Sequence, residues 1–267
     1  MFKSIKLCKL TIPGTLCLML VFFSLTSEGG DPYEELKKRE IAYSEDNFVD
    51  SAGKNDTAVI KLFLDAGMDV NAPNAYDLTA LMAAAFNGHS EAAQLLIDRG
   101  ANVNFMGRDR NTALMGAASS GHSGVVKLLL DNGGDVNAKD RNGQSVLMGA
   151  ARHGHSEVVK LLMDNGADIE DRRIDGRTAL SYAAFNGHSD TVRVLADRGA
   201  NLNACCEDGY TALMYAAQRG QSEVVKLLLD EGADLNVKNI YGGTALKEAK
   251  IAGYSDIINI LLEAGAR

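Results

Sequence analysis

The sequence predicts an all-α solenoid, a row of two-helix units repeating every 33 residues. Three observations predict it. Thr79-Ala80-Leu81-Met82 returns as Thr112-Ala113-Leu114-Met115, Ser145-Val146-Leu147-Met148, Thr178-Ala179-Leu180-Ser181, Thr211-Ala212-Leu213-Met214 and Thr244-Ala245-Leu246-Lys247, with no insertion between copies. A glycine stands nine residues after each Thr or Ser, from Gly88 to Gly253, and another follows twelve residues later, from Gly100 to Gly265. Between these glycines, runs such as Val125-Val126-Lys127-Leu128-Leu129-Leu130 are apolar over more than one helical stripe and need cover on more than one side. A single unit is too small to supply that cover, so neighbours must stack at a helix spacing of about 8–10 Å.

Taken in order, residues 1–27 differ from the rest. Lys3, Lys6 and Lys9 precede an uncharged stretch from Leu10 to Leu25 and small polar residues around Ser24 to Ser27, the pattern of a secretory signal peptide. Cleavage is expected near Thr26 to Glu28, with export to the periplasm or outside the cell. The apolar run falls short of the roughly 20 residues of a spanning helix, and retention as a membrane anchor is the alternative. Residues 28–42 form a leading segment in which Asp31-Pro32-Tyr33-Glu34 predicts a capping box and a helix over 32–42.

Residues 43–73 fit the repeat loosely, as a degenerate capping unit. Asp46 stands where Thr is expected, Asn55 stands at the first glycine position, and Ala58 to Asp65 predicts a second helix. Regular repeats follow over 74–106, 107–139, 140–172, 173–205 and 206–238, and a capping repeat over 239–267. In each, Thr or Ser caps the first helix and the first glycine ends it in positive φ. The second helix is expected to be capped by Ser90, Ser123, Ser156, Ser189, Ser222 or Ser255, and Leu128 and Leu161 are expected in its core. After the second glycine, stretches such as Asp135-Val136-Asn137 predict projecting β-turn loops. Lys247, Glu248 and Lys250 put charge on the last first-helix, as suits a face that meets water.

The 33-residue period, together with Gly154-His155-Ser156-Glu157-Val158-Val159-Lys160-Leu161-Leu162 and Gly134-Asp135-Val136-Asn137-Ala138, resembles the ankyrin repeat over about residues 43–267. The fold class is then an ankyrin-repeat α-solenoid. Where that family has Thr-Pro-Leu-His, this chain has Thr-Ala-Leu-Met; alanine loses only the pre-set φ of proline. The resemblance implies a structural hydrogen-bonding role for His89, His122, His155 and His188, replaced later by Gln221 and Tyr254. It also implies partner contacts at turn tips and at outward positions of the first helices, on the concave side.

On the tips the candidates for gripping another protein are Tyr76, Arg108, Arg110, Arg141, Arg177, Tyr210 and Tyr241. On the first helices they are Phe86, Arg152, Tyr182, Phe185 and Tyr215. Tyrosine and arginine are residues that interfaces favour. The group from Arg108 to Arg177 suits an acidic partner, although Asp109, Asp140, Asp171 and Asp175 interleave with it. Met82, Met115, Met148 and Met214 form a stripe that is either core edge or an adaptable apolar strip.

Chemistry of other kinds finds little support. The net charge is −8, and removing the three N-terminal lysines takes it to −11, against a nucleic-acid partner. Histidines one repeat apart are too distant to share a zinc ion. Cys8 and Cys17 lie in the signal segment, which leaves Cys205-Cys206 as the one place for redox chemistry and the His153/His155 pair as a weak metal signal. Asp135-x-Asn137-x-Lys139 puts a cation where a calcium loop needs oxygen. No catalytic group stands out from the repeat background, so a monomeric, non-enzymatic module without cofactor is expected.

Overall fold

The computed structural model describes residues 30–267, so the expected signal segment and its cleavage lie outside the described residues. Helix α1 (Pro32–Lys38) precedes seven helix pairs. The first members are α2 (Glu45–Gly53), α4 (Ala80–Phe86), α6 (Ala113–Ser119), α8 (Val146–Arg152), α10 (Ala179–Asn186), α12 (Ala212–Gln218) and α14 (Ala245–Ala252). The second members are α3 (Thr57–Asp65), α5 (Ser90–Asp98), α7 (Ser123–Asp131), α9 (Ser156–Asp164), α11 (Ser189–Asp197), α13 (Ser222–Asp230) and α15 (Ser255–Glu263). Each helix packs on its pair-mate and on its counterparts in adjacent repeats, giving an inner row and an outer row. No strand occurs among the described residues; the tip loops carry a single bridge, between Lys139 and Ser145. The chain is thus an all-α solenoid.

Every inner helix from α4 to α14 is capped as expected, its Thr or Ser hydroxyl accepting the backbone N–H three residues on. The outer helices are not. Ser90 and its counterparts occupy the first helical position, and the cap position belongs to His89, His122, His155, His188, Gln221 and Tyr254, none of whose side chains bonds its own helix. The histidines face elsewhere: their Nε2 atoms donate at 2.9–3.0 Å to the carbonyls of Gly53, Phe86, Ser119 and Arg152, near the end of the preceding inner helix. A carbonyl only accepts, so the proton sits on Nε2. This satisfies orphan helix-end carbonyls and joins the repeats.

Two further ladders run the length of the array. Side chains of Asn71, Asn104, Asn137, Glu170 and Asn203 accept the backbone N–H of Asn102, Asp135, Asp168, Asn201 and Asp234 in the next repeat, at 2.7–3.0 Å. At the tips, the N–H groups of Arg141, Ile174, Glu207 and Ile240 donate to Asp109, Asn142, Asp175 and Asp208 of the preceding loop at 3.0–3.1 Å.

The N-terminal end departs from expectation in three ways. α1 stops at Lys38, because Glu40 turns left-handed (φ 58°) and the N–H groups of Glu40 and Ile41 fold back on Lys37 and Leu36. Asp31 accepts from Tyr33, so the capping box is replaced by a tighter turn. The cap of α2 is Ser44, two residues before Asp46, whereas Asn55 does take the left-handed conformation of the glycine it replaces (φ 58°). α1 packs on α3 and so covers the outer row, with Leu36 buried.

In the core, Leu129 and Leu162 are fully buried, whereas Leu128 and Leu161 are only partly so. Val125, Val126 and Leu129 form the face turned to the inner row, and Leu128 sits one position off it. The methionine stripe is buried at the core edge, and two of its members, Met82 and Met115, also reach the inner-row surface. Glu248 also departs from expectation: it is 6% exposed, accepting from the Tyr210 hydroxyl (3.2 Å) and Asn239 Nδ2 (3.1 Å).

Among the described residues, one buried side-chain group lacks a partner. The Thr191 hydroxyl on α11 makes no hydrogen bond, at a position held elsewhere by Ala92, Val125, Val158, Val224 and Ile257. Replacing it by an isosteric methyl removes a desolvated hydroxyl, so Thr191→Val is expected to raise the unfolding free energy by about 1 kcal/mol in urea titration. An unchanged midpoint would mean the hydroxyl is satisfied in solution.

Candidate protein-binding face

The face of the inner row is set by the residue four places after each cap: Ala83, Gly116, Gly149, Tyr182, Tyr215 and Glu248. Small side chains at Ala83 and Gly116 leave a hollow of about 470 Å³ over α4 to α8, whereas the Ser119 side chain lies against Gly149. Leu78, Met82, Phe86 and Met115 supply its apolar wall, Asn111 and Gln144 add amides, and Asp140 lines it with a carboxylate that accepts from the backbone N–H groups of Asn142 and Gln144. Phe86 projects at this hollow with 60% of its surface exposed.

Large side chains at the next two positions fill the face instead. Tyr182 and Tyr215, expected as exposed contacts, are 6% and 5% exposed. Tyr215 stacks on Tyr210 at 5.4 Å and meets Phe185 edge-on at 5.8 Å. Its hydroxyl accepts from Arg177 Nε (3.1 Å) and donates to Cys206 Sγ (3.2 Å). Burial, with the Cys206 contact behind it, pushes the phenol pKa up and the Arg177 guanidinium opposes that rise. Arg177 lies 4.9 Å from the Tyr215 ring centre, Arg219 4.2 Å from that of Phe185, and Arg152 5.9 Å from that of Tyr182. Tyr182 and Tyr215 therefore support a cation–π ridge, and the arginines form its accessible surface.

The tips divide similarly. Tyr76 and Tyr241 are 71% and 68% exposed, and Arg110 is exposed in a left-handed backbone. Arg108 and Arg141, by contrast, pair with Asp77 (3.0 Å) and Asp109 (3.7 Å) of the preceding loop. Lys139 meets Asp171 at 2.5 Å and Arg173 meets Asp175 at 2.6 Å. Aspartates of the tip loops thus pair with Arg108, Lys139, Arg141 and Arg173, and among the described residues Arg110 has no such pair. Tyr210 is half-buried against Glu248, whose carboxylate, after burial, raises the phenol pKa.

Arg219, which sequence reasoning passed over, closes the ridge. It lies just past α12 and outside the repeated pattern; its signal was the arginine two residues after Tyr215-Ala216-Ala217 rather than on the helix itself. Cys205 and Cys206 are free thiols, the first exposed and the second half-buried. His153 and His155 stack at 6.2 Å, but His155 Nε2 already holds Ser119, while burial and then Arg152 lower the His153 pKa. Among the described residues no three His, Cys, Asp or Glu side chains converge as metal ligands, and no helix is long and apolar enough to cross a membrane.

A family model described as ankyrin repeats matches three stretches, residues 48–140, 135–205 and 201–267. No curated protein matches the chain.

Proposed function

The chain belongs to the ankyrin-repeat family, and from that premise we propose that it is an exported, non-enzymatic module gripping one partner protein along its concave inner-row face and turn tips. Ankyrin repeats are protein–protein interaction modules, and every inter-repeat ladder described above serves to hold that face rigid. A single observation carries the reading: the inner row presents an apolar hollow with Phe86 60% exposed beside it, a combination a folded monomer has no structural use for. The acidic balance supports a protein partner over nucleic acid. The lysine-bearing start and apolar run before residue 28 support export, and the mass of the native N-terminus checks it: a mature chain beginning near Glu28 is expected, whereas retained residues 1–27 would favour a membrane-anchored scaffold.

The partner-binding test is affinity capture from the native host with the full chain. Tyr76→Ala with Phe86→Ala removes two exposed rings, so thermal unfolding is expected to move by no more than about 0.5 kcal/mol per site. Capture is expected to weaken at least tenfold, the loss of about 1.4 kcal/mol that truncating an interface anchor brings. Undiminished capture would place the binding surface elsewhere.

A further inference from the structure

The distribution of charge narrows the partner's chemistry. Helices α4, α6, α8, α10 and α12 contain no Asp or Glu, whereas α5, α7, α9, α11 and α13 all end in aspartate. The outer helices are therefore acidic at their C-terminal ends and the inner helices from α4 to α12 carry no carboxylate, further acids standing in the tip loops, Asp109, Asp140, Asp175 and Asp208 among them. On the inner face, Arg152, Arg173, Arg177 and Arg219 surround Tyr182, Phe185 and Tyr215. One carboxylate answers them: Asp175, 2.6 Å from Arg173 and 3.7 Å from Arg177. Arg152 and Arg219 are exposed, and among the described residues neither has a carboxylate within ion-pair distance. Both rest on aromatic rings, which reduces the freedom they lose on engaging an anion.

We infer that the inner face takes an extended acidic segment of a partner protein, which seats an apolar side chain in the hollow over α4 to α8 and a carboxylate on the Arg152–Arg219 cluster. This rests on the reading of the inner row as the binding face and names what that face selects. The cationic cluster is complementary to carboxylates and repels a basic segment, and the apolar hollow beside it rewards burial of Leu, Met or Phe. Hollow and cluster are centred about two repeats apart, roughly 20 Å at a helix spacing near 10 Å. About six residues of extended chain span that distance at roughly 3.3 Å each. A polyanion such as nucleic acid fits less well, because the positive charge is a single spot and the adjoining half of the face is apolar.

The test pans a phage-displayed random dodecapeptide library on the full chain, and on variants shown by circular dichroism to be folded. The wild type is expected to select sequences with Asp or Glu some five to seven residues from Leu, Met or Phe. Arg152→Glu with Arg219→Glu is expected to bind those peptides at least tenfold more weakly and to select Lys or Arg instead. Gly116→Phe fills the hollow and is expected to abolish the apolar preference; should it fail to fold, Phe86→Ala serves the same purpose on an exposed site. Selection of uncharged or basic sequences by the wild type, or acidic peptides indifferent to the charge reversal, would overturn the inference. So would a doubled mass in sedimentation equilibrium that Phe86→Glu returns to monomer, since the face would then be covered by a second copy. Host-partner capture that survives Tyr76→Ala with Phe86→Ala sinks the inner-face reading as a whole; capture lost there but untouched by the arginine reversal sinks the acidic segment alone.

Discussion

Leu129→Ala is expected to lower the unfolding free energy by about 2–5 kcal/mol, the range for deleting a fully buried leucine side chain. Leu129 has no exposed surface and sits mid-array on α7, between α5 and α9 and above α6, so no surrounding element is free to collapse into the space. A repeat array is held by contacts between neighbours, so damage at a central repeat weakens two interfaces at once. Urea denaturation followed by circular dichroism measures it. Leu128→Ala is the control, one position along and partly exposed, and its cost is expected to be clearly smaller. Equal costs would show that the two leucines are buried alike in solution.

The second large effect comes from a glycine that two requirements hold in place. Gly121 has φ 79°, where a side chain is strained, and a Cβ there would lie 2.6 Å from the His155 imidazole of the next repeat. Gly121→Ala is expected to cost roughly 2–4 kcal/mol, combining backbone strain with displacement of the ring that donates to Ser119. Gly100 separates the two contributions. Its φ is 88° but nothing lies within 4 Å of an added Cβ, so Gly100→Ala carries the strain alone, about 1 kcal/mol. In a double-mutant cycle, His155→Ala is expected to relieve part of the Gly121→Ala cost, because the collision is gone. Strict additivity would refute a steric link between the repeats.

Much of this molecule was legible in one dimension because its contacts are local and periodic. Thr79 and its counterparts cap helices by bonding three residues on, and Gly88 and its counterparts turn the chain at fixed φ, so each acts within the reach of a short motif. The serines misled for the same reason: Ser90 has the local signature of a cap, but the preceding left-handed glycine brings the chain into the helix one residue earlier and leaves the cap position to His89. Glu248 misled in the opposite direction, its charge suggesting water while Tyr210 and Asn239, 38 and 9 residues away, provide a buried site.

The candidate face was only half legible. Exposed Tyr76, Phe86 and Tyr241 could be named from type and register, but register alone does not keep a ring outward, since Phe185, in the register of Phe86, is half-buried and Tyr182 and Tyr215 are buried. Which arginines remain available could not, because that depends on aspartates one repeat away: Asp77 and Asp109 neutralise Arg108 and Arg141, and nothing comparable reaches Arg152 or Arg219. The sequence by itself determined the helix pairs, their period and the need to stack, all consequences of capping, left-handed glycines and an apolar surface too wide for one unit to hide. Only the tertiary structure decided that small residues at Ala83 and Gly116 open a hollow while Tyr182 and Tyr215 close into an arginine-topped ridge, because a cavity and a charge balance belong to the space between repeats and to no single repeat.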